Sequence, residues 1–239
     1  MSRPAERQPG SDWATDIFPI ESRTERSGFV RRIWRAPSVA LPSFISIAVP
    51  TWQIVFVQSA NGSNSVVARG PETLATRVNI PKDAEFLGIQ FELGAFLPDY
   101  PVGRLVDYAE SLSTDADHGF WLNDTKFEIP TFENAEVFVD RLIRSDALVR
   151  DSVVEQTLQR RPVSISDRSI QRRFIRSTGL TYGAVRQMER AERAAGLLLN
   201  GISILDVVHG QGYSDQAHLT RSLKRYLGKT PGRIGKANH

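Results

Sequence analysis

Residues 212–231 read GYSDQAHLTRSLKRYLGKTP and carry the most informative pattern in the chain. Ser214 and Asp215 have side chains that favour the positively charged N-terminal end of a helix. After them, apolar residues recur at helical spacing and form one inner stripe, made of Leu219, Leu223 and Tyr226. The opposite side of this predicted helix is formed by Ala217, Thr220, Arg221 and Lys224.

The segment before this helix predicts a second, shorter helix. Residues 202–209 have amphipathic spacing, and a glycine-bearing turn follows at residues 210–213. Helix, tight turn and helix form the helix-turn-helix arrangement, in which the first helix supports the second in the major groove of DNA. Arginine binds guanine there, and glutamine binds adenine, through paired hydrogen bonds. We therefore expect base contacts from Gln216, Ala217, Thr220 and Arg221, with Arg221 as the main one.

A similar unit lies 49 residues earlier in the chain. This shift aligns Arg172 with Arg221 and Gly179 with Gly228. The pattern predicts a second base-contacting face, made of Arg168, Gln171 and Arg172. We expect phosphate contacts, which add affinity and salt dependence with little sequence preference, from Arg173, His218, Lys224 and Arg225. For His218 the alternatives are a base contact or packing against the protein, and each charged face has the alternative of being only a solvated helix surface.

One long helix is predicted between the two units, over residues 184–200. About seventeen residues span about 25 Å at 1.5 Å per residue, less than the roughly 34 Å between major grooves one turn apart. Because the two reading helices lie beyond its ends, they can address successive major grooves on one face of a duplex.

The first unit departs from the second in the segment before its reading helix. Residues 153–160 do not repeat the apolar positions of residues 202–209, and Pro162 stands where the turn is expected. The pattern therefore predicts a shortened first motif with different support, and leaves open whether that motif reads bases.

The front of the chain has the pattern of a β domain. Between residues 29 and 93, short apolar runs with period two alternate with turns, which predicts a small barrel or sandwich. Residues 102–112 and 135–148 have helical spacing and predict a linker, a dimerisation surface or a cover for the sheet. Five aromatic residues either line a ligand cavity or fill the core: Trp34, Trp52, Phe56, Phe86 and Phe91.

Charge and composition separate the two halves and exclude several kinds of site. Residues 150–239 contain 16 Lys and Arg against 7 Asp and Glu, whereas residues 1–149 contain 14 against 20, so the basic half is suited to a polyanion. The chain has no cysteine, which excludes disulfides and thiolate chemistry. Its four histidines are scattered and no catalytic motif is present, so we expect no enzyme activity, no cofactor and no metal.

Residues 166–234 resemble the DNA-binding domain of the AraC/XylS family of bacterial transcriptional regulators. The resemblance rests on the Gly212-Tyr213 turn, the helix after it and the closing Gly228-x-Thr230-Pro231. The first unit matches the family pattern at Ser166, Ile170, Gln171, Arg172, Phe174, Gly179 and Thr181, but it has Tyr182 where the family usually has proline.

The resemblance implies an α+β multidomain chain with an N-terminal small β-barrel or cupin-like sensor domain and a C-terminal all-α domain with two helix-turn-helix motifs. We expect a disordered tail at residues 1–12, the β-rich sensor at 13–115, a helical linker or dimerisation segment at 116–149 and the DNA-binding domain at 150–239.

The function implied is sequence-specific regulation of transcription on double-stranded promoter DNA. Control by a small-molecule effector or by homodimerisation through the N-terminal domain is expected, with RNA polymerase as a further partner. The first residues show neither a signal peptide nor a membrane segment, so we expect a cytoplasmic, nucleoid-associated protein. The alternative is an architectural protein that binds DNA without sequence preference. The effector, the operator and the choice between activation and repression stay open.

Overall fold

The computed structural model describes residues 20–25, 27–37 and 43–236. The tail expected at residues 1–12 lies outside the described residues. A β-rich N-terminal region is followed by a helical C-terminal region, as predicted. The described strands are β1 (Glu21–Arg23), β2 (Val30–Pro37), β3 (Ser43–Ser46), β4 (Gln53–Ser59), β5 (Asn64–Arg69), β6 (Thr76–Asn79), β7 (Ala84–Phe91), β8 (Ala95–Phe96), β9 (Ala109–Leu112), β10 (Gly119–Leu122), β11 (Thr125–Glu128) and β12 (Val149–Arg150).

The main sheet is antiparallel and has the strand order β1-β2-β7-β4-β5-β9. Three two-stranded sheets accompany it, formed by β3 with β6, β8 with β12, and β10 with β11. No hydrogen-bonded ladder between described strands joins β1 to β9, so the described strands form an open sheet and not the closed barrel that we expected.

The apolar face of this sheet is covered by helix α1 (Ala135–Arg144) and the β10–β11 hairpin. Phe56 of the sheet makes edge-to-face contacts with Phe120 of the hairpin and Phe138 of α1, at ring-centroid distances of 5.4 and 6.1 Å. Val139 and Leu142 extend the same buried cluster. A covered open sheet buries its apolar face without needing to close on itself.

The structure corrects two predictions of helix in this region. Residues 102–112 form a short 3₁₀ helix, Val102–Leu105, followed by β9. The helical linker predicted over residues 116–149 is wrong in its first half, because 119–128 is a β hairpin. The reason is visible in β10, where Phe120 and Leu122 are buried and Trp121 is exposed, an alternation with period two. Its second half contains α1, which belongs to the N-terminal core.

The C-terminal region consists of helices with well-defined ends. They are α2 (Ser152–Leu158), α3 (Asp167–Thr178), α4 (Tyr182–Leu199), α5 (Ile204–Gly210), α6 (Gln216–Leu227) and α7 (Pro231–Gly235). The Ser166 hydroxyl accepts a hydrogen bond from the Ser169 amide and so caps the start of α3. Asp215, one of the two residues expected at the start of this helix, caps α6. The long helix α4 begins at Tyr182 because Thr181 caps it.

The two regions are joined through strand β12, which pairs with β8 of the N-terminal region. Helix α2 follows almost at once, and the Asp151 amide donates a hydrogen bond to the Gly94 carbonyl, at 2.9 Å. The first helix of the C-terminal region is therefore anchored to the N-terminal region by backbone hydrogen bonds. None of the described helices combines the length and apolarity needed to cross a membrane.

Candidate nucleic-acid interface

The structure contains the repeated helix pair that the sequence predicted. Helices α3 and α6 are both 12 residues long and start 49 residues apart. The helices before them, α2 and α5, are both 7 residues long. The first motif is therefore not shortened, contrary to the expectation. Its connection, residues 159–166, is instead three residues longer than the second one, residues 211–215, and Pro162 lies in this longer connection.

Helix α6 has one buried face and, opposite it, an exposed polar face. Leu219, Leu223 and Leu227 are buried against α4 and its neighbours. Of the predicted base-contacting residues on this helix, Gln216, Ala217 and Arg221 are exposed and Thr220 is half-buried. Their position in the first turns of α6 leaves the N-terminal half of the helix open to a partner.

Helix α3 repeats this arrangement. Phe174 is fully buried and contacts the Tyr182 ring at a centroid distance of 5.2 Å. On the opposite side, all three predicted base-contacting residues are exposed and lie together along one shallow depression, formed with Ile175 and Arg176 by Arg168, Gln171 and Arg172. Helices α3 and α6 thus each expose guanidinium and amide groups to solvent on the face opposite their buried face.

Asp215 organises the N-terminus of α6. Its carboxylate accepts a hydrogen bond from the backbone amide of His218, at 2.6 Å. That hydrogen bond, with the positive charge of Arg221 as a smaller contribution, holds the pKa of Asp215 below its usual value. The predicted phosphate contact His218 is half-buried, with its Nδ1 atom 3.2 Å from the Ser214 hydroxyl and its ring against Tyr213.

The turn between α5 and α6 is held by a residue that the sequence did not point to. The guanidinium of Arg190, on α4, lies 4.5 Å from the centre of the Tyr213 ring and donates a hydrogen bond to the Gly212 carbonyl, at 3.2 Å. The Tyr213 hydroxyl in turn lies 3.2 Å from the Ser222 hydroxyl.

The remaining predicted phosphate contacts differ in their surroundings. Lys224 and Arg225 are exposed on α6, and the Arg225 guanidinium lies 5.6 Å from the Tyr226 ring centre. Arg173 is also exposed, but its guanidinium pairs with the buried carboxylate of Asp151. The structure therefore gives Arg173 an intramolecular partner that the sequence did not suggest.

The aromatic residues that were candidates for lining a ligand cavity pack mainly against other residues of the N-terminal region. Trp52 stacks on Phe91 at a centroid distance of 4.0 Å, and both belong to the N-terminal core with Phe56. Trp34 and Phe86 are half-buried. Within the part of the chain that the structure describes, no three His, Asp or Glu side chains lie together as a metal site would require.

Comparison with known proteins identifies the C-terminal region. A family model described as a helix-turn-helix domain matches residues 161–237. The HTH-type transcriptional regulator RipA of Corynebacterium diphtheriae is 41% identical over 68 residues, which cover 28% of this chain and 20% of that protein. RipA of Corynebacterium glutamicum is 37% identical over 76 residues, 30% of this chain and 23% of that protein. The similarity spans about a fifth of the length of these curated relatives.

A solved structure, an apo form of a ToxT variant from Vibrio cholerae strain SCE256, aligns over 91% of this chain and 100% of its own, with a TM-score of 0.40 and 10% identity. Both relatives matched in sequence are HTH-type transcriptional regulators. The matching family model and the repeated helix pair show that the C-terminal region of this chain contains a helix-turn-helix domain, which is similar to that of HTH-type transcriptional regulators.

Proposed function

We propose that the protein is a sequence-specific regulator that reads promoter DNA with two helices, α3 and α6, in two major grooves. The observation that carries the proposal is the equivalence of Arg172 and Arg221. Both are exposed, at positions 49 residues apart, on helices of equal length whose opposite faces are buried. Arginine on the exposed face of such a helix is the residue best suited to bind guanine through two hydrogen bonds.

The proposed base contacts are made by the exposed or half-exposed polar faces described above, namely Arg168, Gln171, Arg172, Gln216, Ala217, Thr220 and Arg221. Lys224 and Arg225 are proposed to bind phosphates, since they flank the face of α6 and extend into solvent. His218 and Arg173 are proposed to act mainly through the protein, by holding the N-terminus of α6 and the position of α3 respectively.

Control of DNA binding is assigned to the N-terminal β-rich region, which we divide from the DNA-binding domain at residue 150, where β12 ends. Residues 116–149 are included in this region because α1 packs into its core. A small-molecule effector, a homodimer and contact with RNA polymerase are the proposed routes of control. The open sheet does not support a closed or cupin-like barrel, so the proposal for this region is a β-rich sensor. A DNA partner implies action at the nucleoid, in the cytoplasm.

A footprinting experiment with the full chain on genomic fragments tests this proposal. A regulator protects a defined site that recurs with one consensus sequence, and its binding weakens steeply as salt rises. Uniform protection of every fragment would contradict the proposal. That result would favour the alternative, an architectural protein that uses the same basic faces only for phosphates.

A further inference from the structure

The two reading helices end at equivalent glycines, and both of these ends contact the N-terminal region. Gly179 ends α3 and Gly228 ends α6, with φ angles of 72° and 68°. A methyl group added to Gly179 would lie 2.7 Å from Val106, and one added to Gly228 would lie 2.9 Å from Ile45. Each end therefore fits closely against a different part of the N-terminal region.

Backbone hydrogen bonds strengthen the contact at the end of α6. The last carbonyls of a helix have no partner within the helix and need one elsewhere. The Ala75 amide donates to the Arg225 carbonyl and the Ala48 amide donates to the Tyr226 carbonyl, each at 2.7 Å. The N-terminal region thus supplies two hydrogen-bond donors to carbonyl groups at the end of α6.

The end of α3 is held by the 3₁₀ helix and by β8. The Cα atom of Gly103 lies against Gly179, and the Arg176 guanidinium lies 5.6 Å from the ring centre of Phe96. We call the N-terminal residues at both helix ends the cap-contact surface, consisting of Ile45, Ala48, Ala75, Phe96, Gly103 and Val106.

The two parts of the cap-contact surface are joined to each other by hydrogen bonds inside the N-terminal region. The Asp107 carboxylate accepts hydrogen bonds from the amide and the hydroxyl of Thr73, both at 2.6 Å. The Asp107 amide donates to the Pro71 carbonyl, at 2.8 Å. This Thr73–Asp107 link ties the segment that leads to Ala75, at α6, to the segment that carries Val106, at α3.

The reading faces stay open while both helix ends are held. Arg172 and Arg221 are exposed, and neither belongs to the last turn of its helix. Contact with the N-terminal region therefore does not cover the residues proposed to bind DNA. It restrains where the two helices lie relative to each other.

We propose that the cap-contact surface sets the separation and orientation of α3 and α6, and so determines the spacing between the two half-sites that the protein accepts. This inference rests on the proposed function. Inserting one base pair between half-sites shifts the second by about 3.4 Å and rotates it by about 35° around the duplex. A rigidly held helix pair cannot follow that displacement, whereas a loosely held pair can.

The test uses the full chain and a binding site selected from a randomised duplex library. The Asp107→Gly variant removes the Thr73–Asp107 link without touching either helix, and glycine accepts the φ of 56° found at that position. The matched control is Asp83→Gly, another exposed aspartate with a positive φ, of 51°, whose carboxylate has no hydrogen bond to any residue that the structure describes. Affinity is measured for the selected site and for versions with one or two base pairs inserted between its halves.

For the wild-type chain and for Asp83→Gly, each insertion is expected to weaken binding by at least about tenfold, the size typical of a mismatched base pair. Asp107→Gly is expected to bind the original site and to lose most of that penalty. Thr73→Val, which removes only the hydroxyl donor, is expected to lose part of the insertion penalty. It replaces Asp107→Gly in the test if that variant does not fold.

Equal insertion penalties in wild type, Asp107→Gly and Thr73→Val would overturn the inference, as would a selected site with a single half. The first result leaves the proposed function standing, because the protein would still select a site with two halves, whereas the second would also overturn reading with two helices. Failure to select any sequence would overturn the proposed function itself.

Discussion

Asp151 and Arg173 join the start of helix α2 to helix α3. The Arg173 guanidinium nitrogen lies 3.2 Å from one carboxylate oxygen of Asp151 and 3.3 Å from the other. The same carboxylate accepts hydrogen bonds from the amides of Val153 and Val154 and so begins α2. One buried side chain thus fixes the start of α2 and the position of α3 at the junction with the N-terminal region.

We expect Asp151→Ala to lower the free energy of unfolding by about 1–3 kcal/mol, because it removes both a helix cap and a partly buried charged hydrogen bond. Asp151→Asn is expected to cost less, since its amide oxygen still accepts hydrogen bonds from the start of α2. Urea unfolding of the full chain measures both values. Equal losses for the two variants would show that capping contributes little at this position.

Arg221→Ala is expected to weaken binding to the selected site by about 1–3 kcal/mol and to remove the preference at one base pair. The loss follows from two hydrogen bonds to a guanine edge that alanine cannot make. Fluorescence anisotropy with the selected site and its base-substituted versions measures both effects. Arg144→Ala, which changes an exposed arginine of α1, is the control and should bind as wild type. Unchanged affinity of Arg221→Ala would refute the base contact.

Lys224→Gln is expected to change the salt dependence of binding rather than its sequence preference. Loss of one phosphate contact reduces the slope of log affinity against log salt by about 0.9. Titrations at several salt concentrations, on the selected site and on a scrambled duplex, give the slope for each. A loss of affinity confined to the selected site would instead assign Lys224 to base recognition.

The stability of the DNA-binding domain is expected to fall with acid partly through Asp215. Because the folded-state pKa of this carboxyl is lowered, its stabilisation is complete above the usual carboxyl pKa and is lost as pH falls below about 4, through the lowered value. Asp215→Asn keeps an acceptor for the His218 amide but does not titrate. Thermal unfolding of both proteins between pH 6 and pH 3 should show the wild-type advantage shrinking with acid, and a constant difference would contradict it.

Both reading helices could be predicted from sequence because their signals are local. Their caps, their apolar stripes and the closing glycines Gly179 and Gly228 all lie within one helix length. The polar faces followed directly, since residues opposite a buried stripe on an amphipathic helix are exposed.

Contacts across the fold could not be predicted in the same way. Asp151 and Arg173 are 22 residues apart, and Ala75 and Arg225 are much farther apart along the chain. The sequence pattern around one residue of such a pair therefore gives no indication of its partner. The hairpin at 119–128 was missed because its strands are four residues each and their alternation is brief. The α2–α3 connection is longer than the α5–α6 connection, so a fixed shift of 49 residues does not align α2 with α5. The comparison of the two units therefore did not reveal α2.

The most direct test of two-helix reading compares base preferences of wild type, Arg172→Ala and Arg221→Ala at every position of the selected site. If α3 and α6 each read one major groove, each variant loses discrimination at its own base pair, and the two positions lie about one helical turn, about 10 base pairs, apart. Loss at the same position in both variants, or an unchanged profile in either one, would contradict it.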